Sequence, residues 1–171
     1  MRYDYKKKSQ SAEGAIFNIF ISYSTEDSDK IKPVLDILSS IQDTKIFFAE
    51  KTINPGDNIS QIIINNIKNS DVFLVFCSES AIKSNYVQQE IGAAKSNNKI
   101  IIPILLDSNK PTGMLEGLNY LNFYDQTKHL TEINRLYNFI VHDVQSKKQR
   151  RMLTVLGLLG LGYLLLRSDD G

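Results

Sequence analysis

The sequence predicts an α/β domain built on a five-stranded parallel sheet with helices on both faces. Three observations carry that expectation. Apolar runs recur that are too continuous for a half-exposed sheet, amphipathic helical patterns separate them, and the strand–helix alternation continues along most of the chain. Parallel neighbours joined through helices require right-handed crossovers, so the architecture follows from the alternation.

The first strand is expected at Ile16 to Tyr23, where β-branched and aromatic residues crowd together. Lys45 to Ala49 follows a turn at Gln42-Asp43, Asp71 to Ser78 is the most continuous apolar run, and Lys99 to Leu106 is the next. A weaker fifth run is Tyr120 to Tyr124. Helices fill the intervals. Asp29 to Ile41 sets Ile31, Val34, Leu35, Leu38 and Ile41 on one stripe, with Pro33 near the first turn, where proline is tolerated. Ile59, Ile63 and Ile67 recur at steps of four behind the turn-forming Asn54-Pro-Gly-Asp-Asn. Asn85 to Ser96 aligns Val87, Ile91 and Ala94, and Thr127 to Val144 aligns Leu130, Ile133, Leu136, Tyr137, Ile140 and Val144.

The composition narrows the function. The chain has 171 residues, enough for one domain that buries a full core without disulfides. A net charge of +1 lacks the basic surplus of a nucleic-acid binder. Cys77 is the single cysteine, so no intramolecular disulfide exists, and it reads as a buried structural thiol in a reducing compartment. Residues 1–14 read as a polar arm without a signal-peptide core, residues 15–146 as the domain, and residues 147–171 as a basic-flanked hydrophobic tail. Met152 to Leu166 carries no charge and follows Lys147-Lys148-Gln149-Arg150-Arg151. It reads as a membrane anchor holding the domain at the inner face of the cell membrane, although a helix of that length spans only about 22 Å of a ~30 Å hydrocarbon core. The alternative is a helix packed into an oligomer or against a partner.

Ligands of such sheets bind beyond the carboxyl ends of the strands. No P-loop, no dinucleotide-binding glycine fingerprint and no aspartate closing the third strand is present. His129 and His142 lie about 140° apart around one helix and cannot share a metal. The acidic stretch Glu26, Asp27 and Asp29 reads as helix N-terminal charge complementing the dipole.

What remains is an ordered set of three motifs: Phe20-Ile-Ser-Tyr-Ser-Thr-Glu-Asp, Asn54-Pro-Gly-Asp-Asn, and Ser84-Asn-Tyr-Val-Gln-Gln-Glu. Together they resemble the TIR (Toll/interleukin-1 receptor) domain family over about residues 15 to 145. The resemblance implies a flavodoxin-like sheet and the bacterial, NAD+-cleaving type of the family. NAD+ would be the substrate, with no cofactor and no metal. It also implies self-association through TIR domains and a place in prokaryotic antiphage immunity or cell death. Glu90, four residues after the aromatic Tyr86 where the family usually has tryptophan, takes the catalytic position. Ser22, Tyr23, Ser24, Phe48, Asp57, Ser78 and Tyr86 are the expected substrate contacts. Family members also include non-catalytic scaffolds, and a nucleoside deoxyribosyltransferase relative would share the same carboxylate logic.

Overall fold

The computed structural model describes residues 17–48 and 59–168, with side-chain surroundings given for 17–48 and 61–158. Five parallel strands form one sheet in the order β2-β1-β3-β4-β5. They are β1 (Phe17–Ser22), β2 (Thr44–Phe48), β3 (Val72–Cys77), β4 (Ile100–Leu105) and β5 (Leu121–Asn122). The connecting helices are α1 (Ser28–Ser40), α2 (Ile59–Asn69), α3 (Glu79–Lys83), α4 (Asn85–Ser96) and α5 (His129–Ser168). Single 3-10 turns at Thr25–Asp27 and Gly113–Leu115 complete the order.

Side chains alternate across a strand, and that alternation divides the core in two. Ile19 and Ile21 of β1 and Leu74 and Phe76 of β3 point to one face, where Ile31, Leu35 and Leu38 of α1 meet Leu136, Ile140 and Val144 of α5. Phe20, Phe73 and Val75 point to the other, under Ile67 of α2, Ala81 of α3 and Val87, Ile91 and Ala94 of α4. Phe20 and Phe73 stack with ring centres 5.4 Å apart, joining the two central strands on that side. All six residues of β3 are buried, as expected for the middle strand of a sheet covered on both faces.

Two departures from the sequence pattern have simple causes. Pro33 lies in the second turn of α1, on its exposed side, so the backbone bond it removes faces water. Five-residue α3 is too short to show a helical period; Ser78 starts it by accepting the Ala81 N–H at 3.0 Å. Ser84 then ends α3 and caps α4, accepting the Val87 N–H at 3.4 Å.

The stretch expected as a membrane anchor, Met152 to Leu166, lies on the last helix, and its side chains are described only as far as Leu158. α5 runs unbroken from His129 to Ser168. Met152, Leu153, Val155, Leu156 and Leu158 are all exposed on it. Among the described residues, however, no helix is long and apolar enough to cross a membrane.

Candidate functional site

The order 2-1-3-4-5 reverses direction between β1 and β3, so the chains leaving those strands diverge to opposite faces and open a crevice at their carboxyl ends. Ser22 is the last residue of β1, and Ser78 follows the last residue of β3. Glu90 reaches the same place from the middle of α4.

Glu90 is only 4% exposed, an unusual position for a glutamate. The fully buried Ser22 hydroxyl donates to its Oε2 at 2.5 Å. Val87 and Ile91 pack α4 onto the sheet and leave Glu90 aimed at the β1 exit. The contact therefore joins two elements 68 residues apart in sequence.

Tyr23 is the next residue of the chain. Its ring meets Phe48 of β2 edge-on, with centres 6.4 Å apart. Burial, and then the nearby negative charge of Glu90, raise its phenol pKa above the ordinary value. Ser22, Tyr23, Phe48 and Glu90 thus form one connected group. Tyr86 sits one helical turn before Glu90 on α4 and is 57% exposed. Ser24 is buried, and its carbonyl receives the Asp27 N–H at 2.9 Å. Asp57 lies outside the described residues.

Ser78 has a different local role from the other expected substrate contacts. Its hydroxyl donates to Asp27 at 2.5 Å while accepting the Ala81 N–H, so its bonding capacity is directed into the protein. Asp27 was not among the candidates, because an acidic residue ahead of a helix reads as solvated charge. It is instead 1% exposed and accepts from Ser78, from Ser80 at 2.9 Å and from Lys30 at 3.0 Å. Asp29 does fit the helix-dipole reading: it is exposed in the first turn of α1 and pairs with Lys32.

Nearby, Asp107 after β4 accepts the N–H groups of Glu79 at 2.7 Å and Asn109 at 2.9 Å. Burial opposes its ionisation, but these donors outweigh that and hold its pKa below the usual carboxylate value. Burial pushes the Cys77 thiol up to about 11; the Ile104 backbone lowers it by less, and the negative charge of Asp107 adds a smaller push upward. A thiol so rarely ionised is a core group and not a nucleophile. Among the described residues, no group of three or more His, Cys, Asp or Glu could hold a metal ion.

The family model for the TIR domain matches residues 19–137. The chain belongs to the TIR domain family. It is 28% identical over 94 residues to the NAD(+) hydrolase TcpC of Escherichia coli O6:H1, covering 52% of this chain and 30% of that protein. It is 27% identical over 93 residues to the 2' cyclic ADP-D-ribose synthase AbTIR of Acinetobacter baumannii, covering 52% and 34%. The chain therefore spans about a third of the length of these relatives. Among solved structures, the TIR domain of the Toll-related receptor TRR-2 from Hydra magnipapillata superposes with a TM-score of 0.61 at 24% identity, covering 71% of this chain and 96% of that one. A 2-deoxyribosyltransferase from Bacillus psychrosaccharolyticus has the same fold, with a TM-score of 0.56 at 12% identity over 74% of this chain and 95% of that one.

Proposed function

We propose that this TIR domain cleaves NAD+ at the bond between nicotinamide and ribose, with Glu90 as the catalytic carboxylate. The observation that carries the reading is the Glu90–Ser22 contact: a buried carboxylate held in one orientation at the mouth of the sheet. The names of the relatives, NAD(+) hydrolase and 2' cyclic ADP-D-ribose synthase, support the substrate.

The chemistry suits a single carboxylate. Nicotinamide in NAD+ is a pyridinium cation, so it takes the bonding pair and leaves neutral without a general acid. Positive charge then develops on the ribose ring. A fixed negative group near the ribose stabilises that charge without reorganising, the role carboxylates play in glycoside cleavage. Water attacking the anomeric carbon, with loss of its proton, gives ADP-ribose. A hydroxyl of the same molecule attacking there instead gives a cyclic isomer. Ser22 orients the carboxylate, Tyr23 and Phe48 wall the crevice, and Tyr86 offers an aromatic face to the ribose or a base. Ser24 and Asp57 complete the proposed contacts. Self-association, which would let a neighbouring copy help close the site, and a role in prokaryotic immunity or cell death belong to the same proposal.

The test is chromatography of NAD+ incubated with concentrated protein. Nicotinamide release by the wild type, lost in Glu90→Gln, supports the reading and separates linear from cyclic product. Deoxynucleosides offered alongside NAD+ distinguish a deoxyribosyltransferase-like activity.

The burial of Glu90 also favours a second reading, in which the contact with Ser22 merely pins α4 to β1 and the domain acts as a scaffold. Under that reading neither NAD+ nor a nucleoside is cleaved at any protein concentration.

A further inference from the structure

Asp27 is the buried carboxylate that the proposed reaction does not use. Taking a charged carboxylate out of water is costly unless its lone pairs are filled, and here both oxygens are. Oδ2 accepts from Ser78 and Ser80, and Oδ1 from Lys30, whose own side chain is 57% exposed. Charge complementing a helix dipole needs no such arrangement, because an exposed residue does it equally well.

The connections form a closed ring. Five residues of chain lead from Ser22 to Asp27 through the 3-10 turn Thr25–Asp27. Asp27 holds Ser78, Ser78 caps α3, and Ser84 ends α3 and caps α4. α4 carries Glu90, and Glu90 returns to Ser22. Two side-chain contacts close this ring across the crevice, Asp27 with Ser78 and Ser80 at one point, and Ser22 with Glu90 at the other.

We propose that Asp27 is a positioning residue: it latches the chain leaving β1 to the β3–α3 turn and thereby sets the alignment of Ser22, Tyr23 and Glu90. The proposal rests on the reading of Glu90 given above. Asparagine at this position keeps the shape but replaces an acceptor oxygen with a donor, so it cannot receive Ser78, Ser80 and Lys30 together. α4 stays on the sheet through Val87, Ile91 and Ala94, and the loop from Tyr23 to Glu26 loses its fixed point. Misalignment affects the reacting geometry more than substrate holding.

The experiment compares wild type, Asp27→Asn and Ser80→Ala in steady-state NAD+ cleavage and in ultraviolet difference titration of Tyr23, whose signal is assigned by subtracting Tyr23→Phe. In Asp27→Asn the expected result is a fall of about tenfold in kcat with KM within about twofold. Its Tyr23 phenol should also titrate closer to the ordinary tyrosine value than in the wild type, since it moves away from Glu90 and toward water. Ser80→Ala, which removes one donor from a partly buried hydroxyl, should shift both readouts in the same direction by less. A folded Asp27→Asn with wild-type kcat and unchanged Tyr23 titration overturns the proposal. If Asp27→Asn does not fold, unchanged values for Ser80→Ala overturn it. If the wild type releases no nicotinamide, the NAD+ reading falls with the catalytic part of this proposal, and an unchanged Tyr23 titration in the variants overturns the latch as well.

Discussion

The two ends of the sheet hold their carboxylates in opposite ways. At the amino end, Asp71 before β3 is gripped through both oxygens by Lys147 of α5, at 2.5 and 2.6 Å, and also accepts the Asn18 N–H at 2.8 Å. One turn of the same helix adds Lys148 on Asp43 at 2.8 Å. At the carboxyl end, the Ser22 hydroxyl donates to Glu90, and Asp27 accepts from two hydroxyls and from Lys30. Cations at the amino end cancel charge and fasten α5 to the sheet. At the carboxyl end, hydroxyls donated from other elements orient the carboxylates of Glu90 and Asp27, with Lys30 also on Asp27.

That contrast can be broken at either end. The largest effect is expected at Glu90, where Glu90→Gln should lower NAD+ cleavage by about a hundredfold or more while the protein stays folded. Ser22→Ala should come next. It keeps the charge but frees the carboxylate to rotate, so kcat should fall by roughly tenfold, as measured by nicotinamide release. At the other end, Lys147→Met retains the aliphatic stem and leaves Asp71 without its cation. The pair is partly exposed, so thermal unfolding should show a loss of only about 1 kcal/mol, a few degrees in melting temperature. Cleavage by folded Lys147→Met should be unchanged, and a large loss of activity there would erase the distinction between the two ends.

The last effect concerns pH and not activity. Cys77 titrates near 11 in the folded protein against an ordinary 9.0, so the folded state binds its proton more tightly than the unfolded state does. The resulting stability is fully present below about pH 9 and is lost as pH rises toward 11. Denaturant melts of wild type and Cys77→Ala should therefore differ in slope against pH only in that window. A thiol reagent at neutral pH should label Cys77 only on unfolding.

Much of the fold was legible because burial on both faces writes long apolar runs into β1, β3 and β4, and no local alternative competes with them. The two-residue β5 was faint because an edge strand has few residues to carry a pattern. α3 was missed because it is held by the Ser78 cap and carries no period of its own. In the site, Glu90 was legible through its motif, and its helical step of four from Tyr86 placed both on one side of α4. The role of Ser78 and the burial of Asp27 were not legible, because both depend on a contact between residues 51 apart. Glu26-Asp27-Ser28-Asp29 looks like solvated charge, and only the tertiary fold selects one of its three carboxylates for the interior. Ser78 one residue beyond a buried strand was the available signal, since a small hydroxyl there can cap the next helix and still reach across the switch point.

One measurement bears most directly on Glu90 as a working carboxylate: nicotinamide release from NAD+ at high protein concentration, by wild type and Glu90→Gln side by side, with circular dichroism to confirm that both are folded. The account predicts steady release by the wild type and a loss of at least about a hundredfold in the variant. Equal turnover by folded Glu90→Gln, or no release by the wild type even when crowded into assemblies, would contradict it.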